Sequence, residues 1–195
     1  KNGKTEYKYD AFDRLTEVIF RYSPEKRIRY EYDPWDRISS IKILENDRLD
    51  YHVKYEYNIL GNLTSIDDGT GRIEYSYYPE RGEIVRQLPN GIKTIFSYTP
   101  WGDLISLKHL DQSNGLLASY RYEYDPPGKI SRVFEETSEG LKTTKYEWDN
   151  RGYLKSLQMP DGNNIRYEHD AMGNRISMTD SRGTTNYKYD NFGRL

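Results

Sequence analysis

Cysteine is absent from this 195-residue chain, and neither sign of charge is in excess. Without cysteine there is no disulfide framework and no thiol nucleophile. The 29 Lys and Arg against 31 Asp and Glu give a formal net charge of -2, which offers no net field for the phosphates of nucleic acids. No apolar run approaches the roughly 20 residues of a membrane-spanning helix, and the N-terminal residues do not form a signal peptide. We therefore expect neither nucleic-acid binding nor membrane insertion by this segment.

Motifs for catalysis and metal binding are missing as well. The sequence contains no nucleophile elbow, zinc-protease helix motif, phosphate-binding loop or dinucleotide-binding glycine pattern. The three histidines are His52, His109 and His169, and His169 stands where other copies of a repeat carry tyrosine, as a packing residue would. Asp67-Asp68-Gly69 and Asp161-Gly162-Asn163 lack the ligand spacing of calcium loops and are interpreted as turns. We predict no catalytic residue, no cofactor and no metal, so that the chain is not an enzyme.

Tyrosine is what the sequence has in abundance, with 20 residues arranged in a repeat. The unit reads Tyr-x-Tyr-Asp-x-x-Gly-Arg-Leu and recurs about every 22 residues. Such a period is typical of repeat architectures, in which one unit cannot bury its apolar face and stacking of units does so. Residues 1–195 are therefore predicted to be a single array, cut from a longer protein. Seven clear copies and two degenerate ones begin at Tyr7, Tyr30, Tyr55, Tyr122, Tyr146, Tyr167, Tyr187, Tyr75 and Phe96.

Each copy predicts a hairpin. Aromatic and charged residues alternate in Arg29-Tyr30-Glu31-Tyr32, which is the period of a strand with one aromatic and one charged face. The following residues have the preferences of a type I turn closed by a left-handed glycine, which gives a bulged hairpin before the return strand. A second, more variable turn then leads into the next copy. The predicted fold class is all-β: an antiparallel meander of about nine Tyr-Asp hairpins that forms a curled, spiralling strip of sheet.

The repeat framework consists of the paired aromatic residues, the aspartate that opens the turn and the glycine that closes it. These residues are Tyr7, Tyr9, Asp10, Tyr30, Tyr32, Asp33, Tyr55, Tyr57, Gly61, Tyr122, Tyr124, Asp125, Gly128, Tyr146, Asp149, Gly152, Tyr167, Asp170, Gly173, Tyr187, Tyr189, Asp190 and Gly193.

The third residue of the turn is apolar in seven of nine copies, where a solvated turn would be polar. Stacked repeats would align these side chains along one rim, either as a hydrophobic seam packed under further repeats or as an exposed row able to stack on sugar rings. We favour the seam, since two tryptophans separated by two repeats are sparse for a sugar ladder. Trp35 and Trp101 are the candidate glycan contacts of the alternative. The whole row is Phe12, Trp35, Leu60, Trp101, Pro127, Met172 and Phe192.

This unit, repeated at this period with Pro-Asn-Gly or Pro-Asp-Gly between copies, resembles the YD repeats of Rhs and wall-associated bacterial proteins, of the B and C subunits of insecticidal Tc toxins, and of teneurins. The resemblance covers essentially the whole chain. It implies a β-strip wound spirally into a hollow shell, which in bacterial members encloses a toxic C-terminal domain. The family's closing core, with its aspartate-dependent self-cleavage site, does not follow here. Asp125-Pro126-Pro127-Gly128 is similar to a phrase of that core but lies in register with the other turns, and is interpreted as one of them.

From these features we expect a structural segment of an Rhs-type encapsulating shell in a secreted or surface-delivered bacterial toxin, with any targeting signal outside this segment. Its partners would be the remaining repeats and the C-terminal toxin domain of the parent protein. Self-association is expected through open sheet edges at Tyr7-Lys8-Tyr9 and Tyr187-Lys188-Tyr189. The alternative is a cell-surface adhesion or glycan-binding repeat module.

Overall fold

The computed structural model describes residues 3–126, 128–190 and 192–194. These residues form seventeen β-strands and one short 3-10 helix, Pro79–Arg81, with no α-helix among them. The predicted all-β, antiparallel fold class is confirmed. The strands are β1 (Lys4–Tyr9), β2 (Leu15–Arg21), β3 (Lys26–Tyr32), β4 (Ile38–Glu45), β5 (Arg48–Tyr57), β6 (Leu63–Asp67), β7 (Arg72–Tyr78), β8 (Glu83–Gln87), β9 (Lys93–Tyr98), β10 (Leu104–Leu110), β11 (Leu116–Asp125), β12 (Lys129–Thr137), β13 (Gly140–Trp148), β14 (Leu154–Gln158), β15 (Asn164–His169), β16 (Arg175–Asp180) and β17 (Gly183–Asn186).

The chain divides into two compact units. The first comprises the chain up to Tyr78 together with Ile84–Lys93, and the second comprises Pro79–Glu83 and the chain from Thr94 onwards. In the first unit β1 to β7 pair antiparallel in chain order. In the second unit β10 to β17 do the same. Each unit is thus a meander of hairpins, and the description of residues 1–195 as a single array stays a prediction.

Strand pairing explains why the two faces of the sheet differ. In six copies the first tyrosine lies opposite an apolar residue of its return strand, as Tyr30 does with Ile41 and Tyr122 with Val133. The following Glu, which points to the other face, lies opposite a small or charged residue, as in the Glu56–Ser65 pair. Because side chains alternate along a strand, these pairs produce a tyrosine face and a charged face.

Little of the apolar surface is buried within the chain. Only four apolar residues in the described part are buried: Val18, Ile19, Leu44 and Val53. The accessible surface is 13817 Å², whereas a compact folded monomer of this size would expose roughly 9,700 Å². The chain therefore exposes about 4,100 Å² more surface than a compact monomer of its mass would.

The last copy departs from the sequence prediction. A strand was expected at Tyr187-Lys188-Tyr189, but β17 ends at Asn186 and this site is not a strand. The Tyr187 N–H still donates to the Ile176 carbonyl oxygen at 2.9 Å. The site therefore keeps its place beside β16, and the described residues provide no return strand on its other side that would complete the ladder.

Candidate functional site

The feature that recurs most regularly is the turn after the second aromatic residue of each copy, called here the Tyr–Asp turn. One carboxylate folds it. Asp33 Oδ1 accepts the N–H groups of Trp35 (2.8 Å) and Arg37 (3.0 Å), while Oδ2 accepts Arg37 Nε at 2.6 Å. Such a carboxylate bridging its own backbone two and four residues on is why Asp opens these turns. Oδ1 makes the same pair of backbone contacts at Asp10, Asp149, Asp170 and Asp190.

These hydrogen bonds favour the ionised carboxylate. Burial would raise the pKa of Asp33, but the Arg37 side chain and the N–H groups of Arg37 and Trp35 outweigh that effect, so the pKa lies below its ordinary value of 3.8. In Asp190 the strongest cause is the N–H of Arg194, and its pKa is also lowered. Asn58 shows that the charge is dispensable for the turn itself, since its Oδ1 accepts from Leu60 and Asn62 N–H at 3.0 Å each.

The fourth turn residue has a left-handed backbone, with φ of 63° at Asp36 and 86° at Gly61. This is the bulged hairpin that the sequence predicts. The pairing shifts by one residue immediately before the second aromatic residue, for example between Glu31 and Tyr32. The same shift recurs in β1, β5, β11, β13 and β15. Because a bulge re-aims the side chain beside it, it directs this aromatic residue differently from a regular strand position.

The re-aimed aromatic residue joins its copy to the preceding one. Tyr32 Oη donates to the Leu15 carbonyl oxygen at 2.8 Å, and Tyr57 Oη donates to that of Ile38 at 2.9 Å. In both cases the acceptor is the first residue of the preceding return strand. The bond recurs from Tyr77 to Leu63, Tyr124 to Leu104, Trp148 Nε1 to Ile130 and Tyr189 to Arg175.

A cationic side chain of the preceding copy also contacts the ring of the same aromatic residue. Arg14 Cζ is 4.7 Å from the ring centroid of Tyr32, and its Nη1 donates to Asp36 Oδ1 of the next turn at 2.6 Å. Arg37 lies in the same way 4.5 Å from the ring of Tyr57. In the second unit Lys129 Nζ is 5.0 Å from the ring of Trp148. The Gly-Arg part of the repeat thus supplies a cation–π contact between consecutive copies, a role that the sequence pattern did not reveal.

His169, predicted to be a packing residue at a tyrosine position, stacks on Tyr153, with ring centroids 5.2 Å apart and an interplanar angle of 25°. It therefore contacts the preceding copy through ring stacking.

The apolar row at the tips of these turns is exposed. Trp35 is 71% exposed and Trp101 87%, and Phe12, Leu60, Met172 and Phe192 are at least as open as Trp35. Pro127, also assigned to this row, lies outside the described residues. Within the chain, these six side chains do not form the packed seam that we favoured. A seam completed by further repeats, and glycan contact by Trp35 and Trp101, both stay predictions.

On the charged face, a serine regularly supports the glutamate. Ser65 Oγ donates to Glu56 Oε2 at 3.1 Å, and Ser156 Oγ donates to Glu147 Oε2 at 2.8 Å. Ser177 does the same for Glu168. The sequence contained part of the signal, because Ser40, Ser65 and Ser156 stand two residues after the Leu or Ile that ends their copies, but the role of these serines required the register.

A serine–histidine pair on this face has part of a hydrolase arrangement. Ser40 Oγ lies 3.0 Å from His52 Nε2. Ser40 is only 4% exposed, and the nearby Glu31 carboxylate accepts a hydrogen bond from Lys42 Nζ. A nucleophile must be reachable and its base must be oriented by a third group, so this pair is interpreted as structural.

The two candidate calcium segments are built as turns. Asp67 Oδ1 accepts the Gly69 N–H at 2.8 Å, and Asp161 Oδ1 accepts that of Asn163 at 2.9 Å. Across residues 3–126, 128–190 and 192–194 no group of three or more His, Asp or Glu side chains is placed to hold a metal ion. No helix in this part is long and apolar enough to cross a membrane.

The repeated turn, its bulge and its aromatic link recur along a chain whose sequence matches one family model. Residues 1–195 match the teneurin YD-shell family. The chain belongs to that family. This YD-shell chain is also 28% identical, over 148 residues, to the tRNA3(Ser)-specific nuclease WapA of Bacillus spizizenii. That stretch is 75% of this chain but only 6% of the nuclease.

Solved structures show the same fold. The crystal structure of TcdB2-TccC3-Cdc42 matches 97% of the YD-shell chain at a TM-score of 0.55 and 18% identity. The Photorhabdus luminescens Tc holotoxin pore matches 94% at a TM-score of 0.51 and 17% identity. This chain covers 10% and 9% of those two chains. It therefore spans a tenth or less of the relatives and structures named here.

Proposed function

We propose that this chain is a wall segment of an Rhs-type shell that encloses a C-terminal toxin domain, in a bacterial protein that is secreted or delivered to the cell surface. The observation that carries the proposal is the link beside the Tyr–Asp turn: in six copies an aromatic residue donates a hydrogen bond to the copy before it, and in three of these a cation–π contact accompanies the bond. A wall needs such uniform links between units rather than a cleft. The exposed surface of the sheet supports the same function, because a segment of a shell depends on further repeats to complete the enclosure.

Protease protection of the C-terminal domain in the parent protein tests this proposal. The full-length parent should protect that domain, and Asp33→Ala combined with Arg37→Ala should expose it by opening one link of the wall. Asp161→Ala, in a turn that leads from a return strand to the next copy, is the matched control and should leave protection intact. If the C-terminal domain were digested equally fast in the unmodified parent, the double variant and the control variant, this segment would not enclose it.

A second function, glycan binding, is favoured by the exposure of Trp35 and Trp101, since exposed tryptophans stack on sugar rings. Titration of the chain with soluble oligosaccharides while following tryptophan fluorescence would detect it. Binding that is lost in Trp35→Ala or Trp101→Ala supports this function, and an unchanged spectrum at millimolar sugar opposes it. Self-association through open sheet edges also stays a prediction, checked by sedimentation of the chain with and without flanking repeats.

A further inference from the structure

The charged face of the second unit carries an apolar patch that the repeat pattern does not explain. Leu117 is 46% exposed and Leu141 68% exposed. Both lie on the charged face, because Leu117 alternates with Arg121 and Glu123 along β11, and Leu141 is paired with Glu136. The other exposed apolar strand residues described in this unit, Ile105, Leu116 and Ile176, point to the tyrosine face.

The two leucines are also exceptional when the copies are aligned by sequence. Both stand five residues before the first tyrosine of their copies, where four other clear copies carry Glu25, Asp50, Gly162 and Arg182. Phe134, on β12 between them, stands where other copies carry residues such as Lys42 and Asp67. Two consecutive copies therefore replace polar residues with apolar ones on a face that is otherwise charged. Exposed apolar clusters of this kind mark interaction sites.

Phe134 and Leu141 line a groove together with charged side chains, and Leu117 lies two residues before the lining residue Ser119 on the same face of β11. The lining of this groove includes Lys108, Ser119, Arg121, Phe134, Glu136 and Leu141. The Arg121 Cζ lies 3.8 Å from the ring centroid of Phe134, so that the guanidinium covers the ring on one side.

Cations exceed carboxylates around this groove. Arg121 and Arg132 share the single carboxylate of Glu123, at 2.7 and 3.4 Å. Glu136 is held by Ser119 Oγ at 3.2 Å. Lys108, which is exposed and lies opposite Ser119, makes no ion pair among the described residues. Three positive charges thus face two negative ones, and an uncommitted ammonium group borders an apolar surface.

We propose that this groove binds an extended polypeptide segment in which apolar side chains alternate with carboxylates. The apolar side chains would lie against Leu117, Phe134 and Leu141, and a carboxylate would pair with Lys108. Strands two apart lie roughly 9.6 Å from each other, and alternate side chains of an extended peptide are about 7 Å apart, so one short segment can reach both leucines. The inference goes beyond the proposed function and holds whether or not the parent protein encloses a toxin.

An NMR titration of the isotopically labelled chain tests this inference. The probe is a blocked hexapeptide of alternating Asp and Leu, and the comparison peptide alternates Lys and Leu. We expect the acidic peptide to bind more tightly than the basic one. Replacement of Leu117 or Leu141 by Ser removes one exposed apolar contact and should weaken binding about fivefold. Lys108→Gln should weaken binding and reduce its dependence on salt concentration.

Leu116→Ser is the matched control. Leu116 is 49% exposed, close to the 46% of Leu117, and it adjoins Leu117 on the same strand but faces the other side. Its replacement should leave peptide affinity unchanged. Equal weakening by Leu116→Ser, equal affinity for the basic peptide or no binding would each overturn the proposal. It would also be overturned if sedimentation showed that a second copy of the chain occupies the patch and leaves on Leu141→Ser.

Discussion

The Tyr–Asp turns and the linking turns, which lead from each return strand to the next copy, alternate along the chain but differ in how regularly they contact the neighbouring copy. Six aromatic residues beside the Tyr–Asp turns donate a side-chain hydrogen bond to a backbone carbonyl oxygen of the preceding copy. The side of the sheet on which these turns lie in each unit is called here the Tyr–Asp rim, and the side with the linking turns is called the linking rim. The linking turns share no single form: those that end at Ile92, Gly115 and Asn163 have the backbone hydrogen bonds of the Tyr–Asp turns, and others do not. Asn46 and Asp47 make a tight turn with φ of 50° and 63°, whereas Asp68 gathers the N–H groups of Thr70 and Gly71 in a longer loop.

Contacts between linking turns also differ from one place to the next. Arg27 reaches Asp47 at 3.0 Å, and Tyr51 Oη lies 3.4 Å from Asp68 Oδ2. Neither contact recurs in the way that the aromatic bond of the other rim does. The comparison indicates that the Tyr–Asp rim defines how one copy is attached to the next, while the linking rim only has to close each hairpin.

The largest effect should come from changing the length of the two kinds of turn. Insertion of Gly-Gly after Trp35 would separate Asp33 from the Asp36 and Arg37 N–H groups that it holds. We expect a loss of about 3 kcal/mol in the free energy of unfolding, from several hydrogen bonds of about 1 kcal/mol each. The same insertion between Ser138 and Glu139 should cost only about 0.6 kcal/mol, because loop-closure entropy grows slowly with length. Equal denaturation midpoints for both insertions would refute the distinction between the rims.

The sequence made the hairpins predictable because their signals are local. Alternation identifies the strand, Asp33 identifies the turn, and Gly61 identifies its left-handed residue. Contacts across copies were not predictable in this way: nothing next to Arg14 in the sequence shows that it stacks on Tyr32, eighteen residues later. The exposure of Trp35 could not be predicted from the sequence either, because a residue at the tip of a turn is packed or exposed according to what covers it.

The second largest effect should come from acid, which weakens the hydrogen bonds of the Tyr–Asp turns. The pKa of Asp33 is below its ordinary 3.8, and hydrogen bonds from Arg72 and Ser65 hold the pKa of Glu56 below 4.5. A carboxylate with a depressed pKa in the folded state stabilises the protein above its unfolded-state pKa and loses this contribution as pH falls through the folded-state pKa. We therefore expect the denaturation midpoint to fall as the pH drops below about 4.5.

Asp33→Asn separates the charge from the geometry of this turn. Asn58 already folds such a turn without a charge, so the variant should retain β-sheet circular dichroism at neutral pH. It should show a shallower loss of stability between pH 4.5 and 2. An unchanged pH profile would mean that the turn aspartates contribute little to acid sensitivity.

A smaller effect is expected from a single hydroxyl. Tyr57→Phe removes the hydrogen bond to the Ile38 carbonyl oxygen and leaves that ring in contact with Arg37. We expect a cost of about 1 kcal/mol in the free energy of unfolding. Tyr55 is the matched control, since it lies two residues earlier on β5 and its hydroxyl makes no hydrogen bond among the described residues. Tyr55→Phe should leave the free energy of unfolding nearly unchanged. Equal costs for the two variants would show that the hydrogen bond between copies does not stabilise the chain.

The smallest effect should come from Trp35→Ala, and it decides what the exposed row is for. In this chain Trp35 is 71% exposed, with the Arg37 Cζ 5.1 Å from its ring centroid. Loss of an exposed cation–π contact should cost only about 0.5 kcal/mol. If further repeats pack over the row, the same substitution in a longer array should create a cavity and cost about 3 kcal/mol or more. Chemical denaturation of both lengths therefore distinguishes the seam from an open surface: a cost that stays small in the longer array would leave Trp35 free to contact a ligand.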